Sequence, residues 1–153
     1  MIRTLRAAAL ALPLAIPLAL ATTALVHAHG DGAPSAIDTT GLEPLGENDR
    51  DKNPYVGNAK AVEIGASGYN KNCARCHGID AKSGGMAPDL RELDKTEASD
   101  IYFLTRVRGG AQRDGRYRMP PFADILSQEA IWAIRTYIES EADKDPAIAA
   151  KIN

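Results

Sequence analysis

Three stretches of the 153-residue chain carry apolar positions at helical spacing, and the text between them does not. The first runs from about Ala59 to Asn72, where Val62, Gly65 and Tyr69 recur at intervals of three and four; it predicts a helix with a small-residue notch at Gly65. A second helix is expected from Thr96 or Ser99, both good N-caps, through DIYFLTRVR to Gly109-Gly110. Ile101, Leu104 and Val107 form its apolar stripe, with Tyr102 or Phe103 on the flank. The third begins at Ser127 and continues to about Asp143, ahead of Asp145-Pro146. Ile131, Ile134 and Ile138 line one of its faces, with Trp132 and Tyr137 nearby. Strand-like alternation and internal repeats are both missing from the text. The pattern predicts an all-α domain.

The stretches outside these helices divide the chain. Residues 1–28 hold Arg3 and Arg6, then an uncharged apolar run broken by Pro13 and Pro17, then Val26-His27-Ala28. A charged start, an apolar middle and a small-x-small exit read as a secretory signal peptide cleaved after Ala28; the competing reading is a retained membrane anchor. Residues 29–58 are rich in Gly, Pro, Asp and Asn, with apolar residues scattered singly, and are expected to form an extended arm without regular structure. The folded domain then occupies 59–145, and 146–153 is left as a C-terminal tail. Between the first two helices, GIDAKSGGMAPDLREL reads as a loop with Leu90 and Leu93 turned back to the core; AQRDGRYRMPPFADIL reads as a second loop.

Composition changes the picture in two ways. Without the leader, 125 residues remain, with only eight aromatic residues, so the side chains alone make a thin core and something else is expected to fill it. The leader also takes two of the 18 basic residues, leaving 16 against 20 acidic ones, a net charge of −4. Such a balance gives no support to nucleic-acid binding. No second apolar run is long enough to span a membrane, and a soluble periplasmic monomer is expected.

Two cysteines, Cys73 and Cys76, stand three residues apart with His77 after them. A structural disulfide stabilises by closing a long loop, and a two-residue gap offers little of that. The Cys-x-x-Cys-His pattern is the motif for covalent haem attachment. On a helical turn both thiols project to one side, where they can add to two vinyl groups of a porphyrin, and the following imidazole becomes the proximal iron ligand. A thioredoxin-like dithiol would require a βαβ pattern, which is absent. A zinc site requires four donors, and beyond the leader only the cysteines, His77 and His29 are available.

The second axial ligand is selected by elimination. His29 lies outside any periodic segment. Met86 follows His77 by nine residues and suits a gap-filling role; Met119 follows it by 42, in a turn stiffened by Pro120 and Pro121. Met119 is therefore the expected ligand, with an open sixth position as the alternative. Two neutral ligands and no vacancy indicate an electron carrier rather than an enzyme. Just before Met119, Arg106, Arg108, Arg113, Arg116 and Arg118 crowd together with only Asp114 opposing. They either neutralise haem propionates or form a docking collar for an acidic partner.

CARCHG, the GGMAPDL loop, RMPPF and QEAIWAIRTYIES together resemble the class I cytochrome c family. NPYVGNAKAVEIGASGYNKNCARCHG resembles, more narrowly, the periplasmic c-550 cytochromes associated with PQQ-dependent alcohol dehydrogenases. The resemblance covers roughly Gly41 to Ala142. It implies three core helices around one haem c, with Gly65 and Tyr69 packed against Trp132 or Tyr137. It also implies that the Pro88 carbonyl accepts the second ring N–H of His77. Electrons would arrive from a quinoprotein alcohol dehydrogenase and leave for an oxidase or another cytochrome. The alternatives are a general periplasmic carrier serving another dehydrogenase, a haem ligand-binding or sensor protein if the Met119 bond is weak, and a haem-free thiol oxidoreductase. The arginine-dense RDGRYR departs from the family pattern.

Overall fold

A computed structural model describes residues 34–152 of the chain. The leader, its cleavage site and His29 lie outside the described residues. Five helices follow in chain order: α1 (Ala59–Asn72), α2 (Ala74–His77), α3 (Glu97–Gly109), α4 (Gln128–Asp143) and α5 (Pro146–Ile152). Short 3-10 turns occupy Ile79–Ala81 and Leu90–Glu92.

The centre of the fold is the seam between α1 and α4. Asn58 starts α1 by accepting from the Lys60 and Ala61 amides at 2.9 and 3.1 Å. Its buried face, Ala61, Ile64, Gly65, Gly68 and Tyr69, repeats at three- and four-residue steps. Ser127 caps α4, where Trp132, Ile131, Ile134 and Ile138 are almost wholly buried. Gly65 is the point of closest approach: a Cβ built there would lie 1.9 Å from the Ala133 carbonyl oxygen and 2.9 Å from Tyr137 Cβ. Any side chain would push the helices apart. One turn on, the Tyr69 and Tyr137 rings meet with centroids 5.4 Å apart. The aromatic partner in the seam is thus Tyr137.

Thr96 caps α3, whose buried face is Asp100, Phe103, Leu104 and Val107. Ile101, assigned to the stripe from sequence, is 41% exposed, and Phe103 takes the buried place. The stripe was misphased because one core position is polar. Asp100 Oδ1 accepts from Arg135 Nε of α4 at 2.9 Å, and Glu139 Oε1 lies 3.0 Å from the same nitrogen. Asn53 joins this cluster through its amide, which donates to Asp100 Oδ2 at 2.9 Å, and through its side chain, which donates to Thr136 Oγ1 at 3.1 Å.

Two further expectations need correction. A β-hairpin, β1 (Ala111–Arg113) paired antiparallel with β2 (Arg116–Met119), stands where a loop was expected. Its strands are short and exposed on both faces except at Ala111 and Met119, so no alternation marks them. The turn is Asp114-Gly115, with φ of +53° and +71°, the left-handed pair that a two-residue type I′ hairpin requires. The tail also is helical. Asp145 caps α5, accepting from the Ala147 amide at 3.1 Å, and Pro146 sits at the first helical position, which lacks a use for its missing N–H. Ile152 is buried at the end of α5.

From residue 34 to 58 the chain has neither helix nor strand, yet it is fastened along α4. The Leu45 amide donates to Glu129 Oε1 at 2.8 Å, Gln128 Nε2 donates to the Gly46 and Asn48 carbonyls, and Tyr55 OH donates to the Glu43 carbonyl. Leu45, Asn53 and Tyr55 are buried. Among the described residues no helix is long and apolar enough to cross a membrane.

Candidate functional site

Cys73, Cys76 and His77 fall where α1 stops and α2 adds a single turn. The Cys76 and His77 amides both donate to the Cys73 carbonyl, at 3.1 and 3.0 Å, which sets the two thiols and the imidazole on one short coil. Gly78 then turns the chain away with φ of +85°, and a Cβ there would lie 1.9 Å from the Lys82 carbonyl oxygen, so only glycine fits. Both seam tyrosines reach out to hold this turn. Tyr69 OH donates to the Gly78 carbonyl at 2.8 Å, and Tyr137 OH donates to Asp80 Oδ1 at 3.2 Å. Burial raises the pKa of both phenols, that of Tyr137 to about 12, so both stay protonated donors.

The imidazole is oriented from a second direction. His77 Nδ1 lies 2.9 Å from the Pro88 carbonyl oxygen. A carbonyl can only accept, so Nδ1 carries a proton and Nε2 is the nitrogen turned away from this contact, the one a metal ion could take. The loop presenting Pro88 is itself fixed. Asp89 accepts from the Ser83 amide at 3.2 Å and from the Arg91 amide at 3.0 Å, and the Arg91 side chain holds its carboxyl below the usual range.

Met119 closes β2 and also lines the cavity. Gly110, with φ of +69°, lets the Met119-Pro120 backbone press against the end of α3: a Cβ at Gly110 would lie 2.5 Å from the Met119 carbonyl oxygen. The Phe122 amide donates to the Val107 carbonyl at 3.0 Å and fastens the exit. Met119 is half-buried and packs against the core, whereas Met86 is 78% exposed at the rim.

These elements surround one cavity of about 450 Å³. Cys73, Cys76, His77, Pro88 and Met119 all line it; the remaining wall is largely apolar, from Leu90, Leu93, Phe103, Val107 and Phe122. Both cysteines are free thiols. Burial, and then the proximity of Cys76, push the Cys73 thiol up to about 12. Among the described residues, no group of three or more His, Cys, Asp or Glu side chains could hold a metal ion. The donor set fits haem: two thiols, an imidazole with Nε2 free, a thioether and an apolar volume inside the usual range of cofactor pockets.

Residues 60–138 match the family described as cytochrome C oxidase, cbb3-type, subunit III. The chain is also 57% identical over 125 residues to cytochrome c550 of Pseudomonas aeruginosa, covering 79% of this chain and 86% of that protein. The chain belongs to the cytochrome c family. It is similar as well to the quinohemoprotein alcohol dehydrogenase ADH-IIG of Pseudomonas putida, 41% identical over 65% of this chain but only 13% of that longer protein. A solved structure of quinohemoprotein alcohol dehydrogenase ADHIIG from Pseudomonas putida HK5 superimposes with a TM-score of 0.50 at 34% identity, over 73% of this chain and 16% of that one. The cofactor of this cytochrome is covalently bound haem c, and membership supports an electron-carrier role. The mostly helical architecture with one small hairpin is consistent with the class I fold.

The sequence singled out Cys73, Cys76, His77, Pro88 and Met119, and the structure brings all five to one cavity. It missed the two tyrosine hydroxyls that fix the turn after His77, and Gly110 behind Met119. The Asp114-Gly115 pair was the available signal for the hairpin that carries Met119.

Proposed function

We propose that this cytochrome is a soluble periplasmic one-electron carrier that receives electrons from a PQQ-dependent alcohol dehydrogenase and passes them toward a terminal oxidase. Cys73 and Cys76 would tether the haem through their sulfurs, and His77 Nε2 from α2 and the Met119 sulfur from β2 would hold its iron. Bound haem supplies reversible one-electron chemistry at iron. His77 is held for this by the Pro88 carbonyl, and Met119 by the glycine-backed turn at Gly110 and the stiff Pro120-Pro121 exit. Neither ligand carries charge and the walls are apolar, a combination that favours the reduced state and raises the potential. With His77 and Met119 both holding the iron, the group would pass electrons without binding a substrate. The leader at 1–28 delivers it across the inner membrane, and it works as a monomer.

The single observation that carries this reading is the convergence of His77 and Met119, from separate elements, on one apolar cavity that two cysteines not joined in a disulfide also line. The similarity to quinohemoprotein alcohol dehydrogenases supports the donor, and the cbb3-type family description supports an oxidase as acceptor. Stopped-flow mixing of oxidised holoprotein with a reduced quinoprotein alcohol dehydrogenase tests it. Second-order reduction is expected. A holoprotein that a small-molecule reductant reduces at once, but the dehydrogenase does not, would remove the proposed donor.

A further inference from the structure

The arginines ahead of Met119 are not absorbed by the haem site. Five arginines and one aspartate lie between Arg106 and Arg118, in a chain whose formal net charge is −2. The structure separates them into two groups. Arg108 is paired with Asp49 at 2.6 Å. The Arg106 guanidinium lies 5.3 Å from the Tyr102 ring centre, and its Nη1 donates to the Gly110 carbonyl at 3.3 Å. Both are occupied within the chain.

The other three sit on the hairpin and are exposed. Arg113 has only its neighbour Asp114, at 3.8 Å, with side chains 79% and 82% exposed. Such a contact is worth little in water. The Arg116 and Arg118 side chains make no ion pair or hydrogen bond among the described residues. Tyr117, between them, is 55% exposed. The same strand ends in Met119, and both Arg118 and Met119 line the cavity. Among the described residues the hairpin therefore presents three exposed arginines, one weakly paired and one at the cavity wall, and one aromatic ring, while the rest of the chain is acidic.

We propose that the hairpin Ala111–Met119 docks the acidic face of the chain's electron donor, with Arg113, Arg116 and Arg118 supplying the charge and Tyr117 the apolar anchor. The proposal rests on the carrier reading above and names the surface it uses. A partner rich in carboxylates is repelled by most of this molecule and attracted at the hairpin, so charge orients the encounter as well as speeding it. Arginine and tyrosine are the side chains that interfaces concentrate at their energetic centres. An anionic membrane is the weaker occupant, because lipid-binding basic clusters carry about four to eight cations and this one offers three. In the docked pair one electron leaves the reduced donor and is taken up by the iron of this chain; no bond forms or breaks.

The test compares holoprotein with two charge-reversed doubles, Arg113→Glu/Arg116→Glu on the hairpin and Arg50→Glu/Lys52→Glu on the exposed arm, which change the net charge equally. Arg118 is left intact because it lines the cavity. Unchanged absorption spectra and midpoint potentials establish that each variant keeps its haem site. Stopped-flow reduction by the quinoprotein dehydrogenase is then followed against ionic strength. The wild type is expected to slow by about tenfold or more as salt rises, the hairpin double to start that slow and respond little to salt, and the arm double to follow the wild type. Equal slowing by the two doubles, or none by either, would overturn the proposal.

If the dehydrogenase fails even with the wild type, the donor assignment falls, and small reagents decide the surface. The hairpin double would lose rate with anionic ferrocyanide and gain it with cationic hexaammineruthenium(II) if the hairpin exchanges electrons with anions. Identical rates in both proteins would refute it. Co-sedimentation with phosphatidylglycerol vesicles, lost in the hairpin double while its transfer rates stay at wild type, would hand the surface to a membrane instead.

Discussion

The two halves of this molecule are filled by different means. Along the α1–α4 seam, backbone meets backbone at Gly65 and the largest side chains, Trp132, Tyr69 and the α4 isoleucines, close the space almost without exposure. On the side of α2, α3 and the hairpin, apolar residues of the same kinds line about 450 Å³ that they do not fill. A chain with eight aromatic residues spends most of them on the seam or around the cavity. The difference teaches that the seam is the scaffold and the other wall is a mould for haem. The link between them is narrow: the hydroxyls of Tyr69 and Tyr137, which leave the seam and hold the turn after His77.

The largest effect is expected at the buried ion cluster that ties α4 of the seam to α3 of the other wall. Arg135→Ala would strand Asp100 and Glu139 without their cation and lower stability by about 3–5 kcal/mol in denaturant unfolding of the holoprotein. A loss under 1 kcal/mol would mean that water reaches the carboxylates and the α3–α4 contact is looser than described. Next comes Gly65→Ala. The added methyl overlaps the Ala133 carbonyl, and the cost of about 3 kcal/mol outweighs the gain in helix propensity of about 1 kcal/mol. The same methyl at Gly84, where nothing lies within 4 Å, should leave the melting temperature unchanged. If Gly65→Ala altered the haem spectrum while sparing stability, the division into scaffold and mould would be wrong.

A smaller effect follows from Glu139, whose pKa burial holds above the ordinary carboxyl value against the opposing pull of Arg135. A raised folded-state value means that its protonated form is favoured by folding. Its contribution is complete below the unfolded pKa near 4.5 and is lost as pH rises through the folded value. Glu139→Gln should remove that loss. Unfolding of both proteins between pH 4 and 8 checks this: the variant should gain on the wild type as pH rises, and a constant difference would contradict the assignment.

Much of the proposed haem site was legible in the chain because it is local. Cys73, Cys76 and His77 need only one turn of backbone, and the three long helices announce themselves through apolar periodicity and, for the second and third, the Thr96 and Ser127 caps. Other features were hidden by the physics that makes them. Asp100 occupies a core position only because Arg135 meets it 35 residues later, so the stripe of α3 was misphased toward Ile101. The hairpin strands are too short and too exposed to alternate, and only Asp114-Gly115 betrayed them. Asp145-Pro146 can stop one helix and start the next, and the sequence reading used only the first half of that meaning.

The most direct test is denaturing mass spectrometry of the protein expressed with haem-maturation machinery, paired with absorption spectra of the wild type and Met119→Ala. The account predicts a wild-type polypeptide carrying the mass of one haem that survives acid-acetone extraction. It also predicts low-spin bands that turn high-spin, with ready carbon monoxide binding, when Met119 is removed. A colourless product, a pigment that extracts freely, or a Met119→Ala spectrum identical to wild type would contradict it.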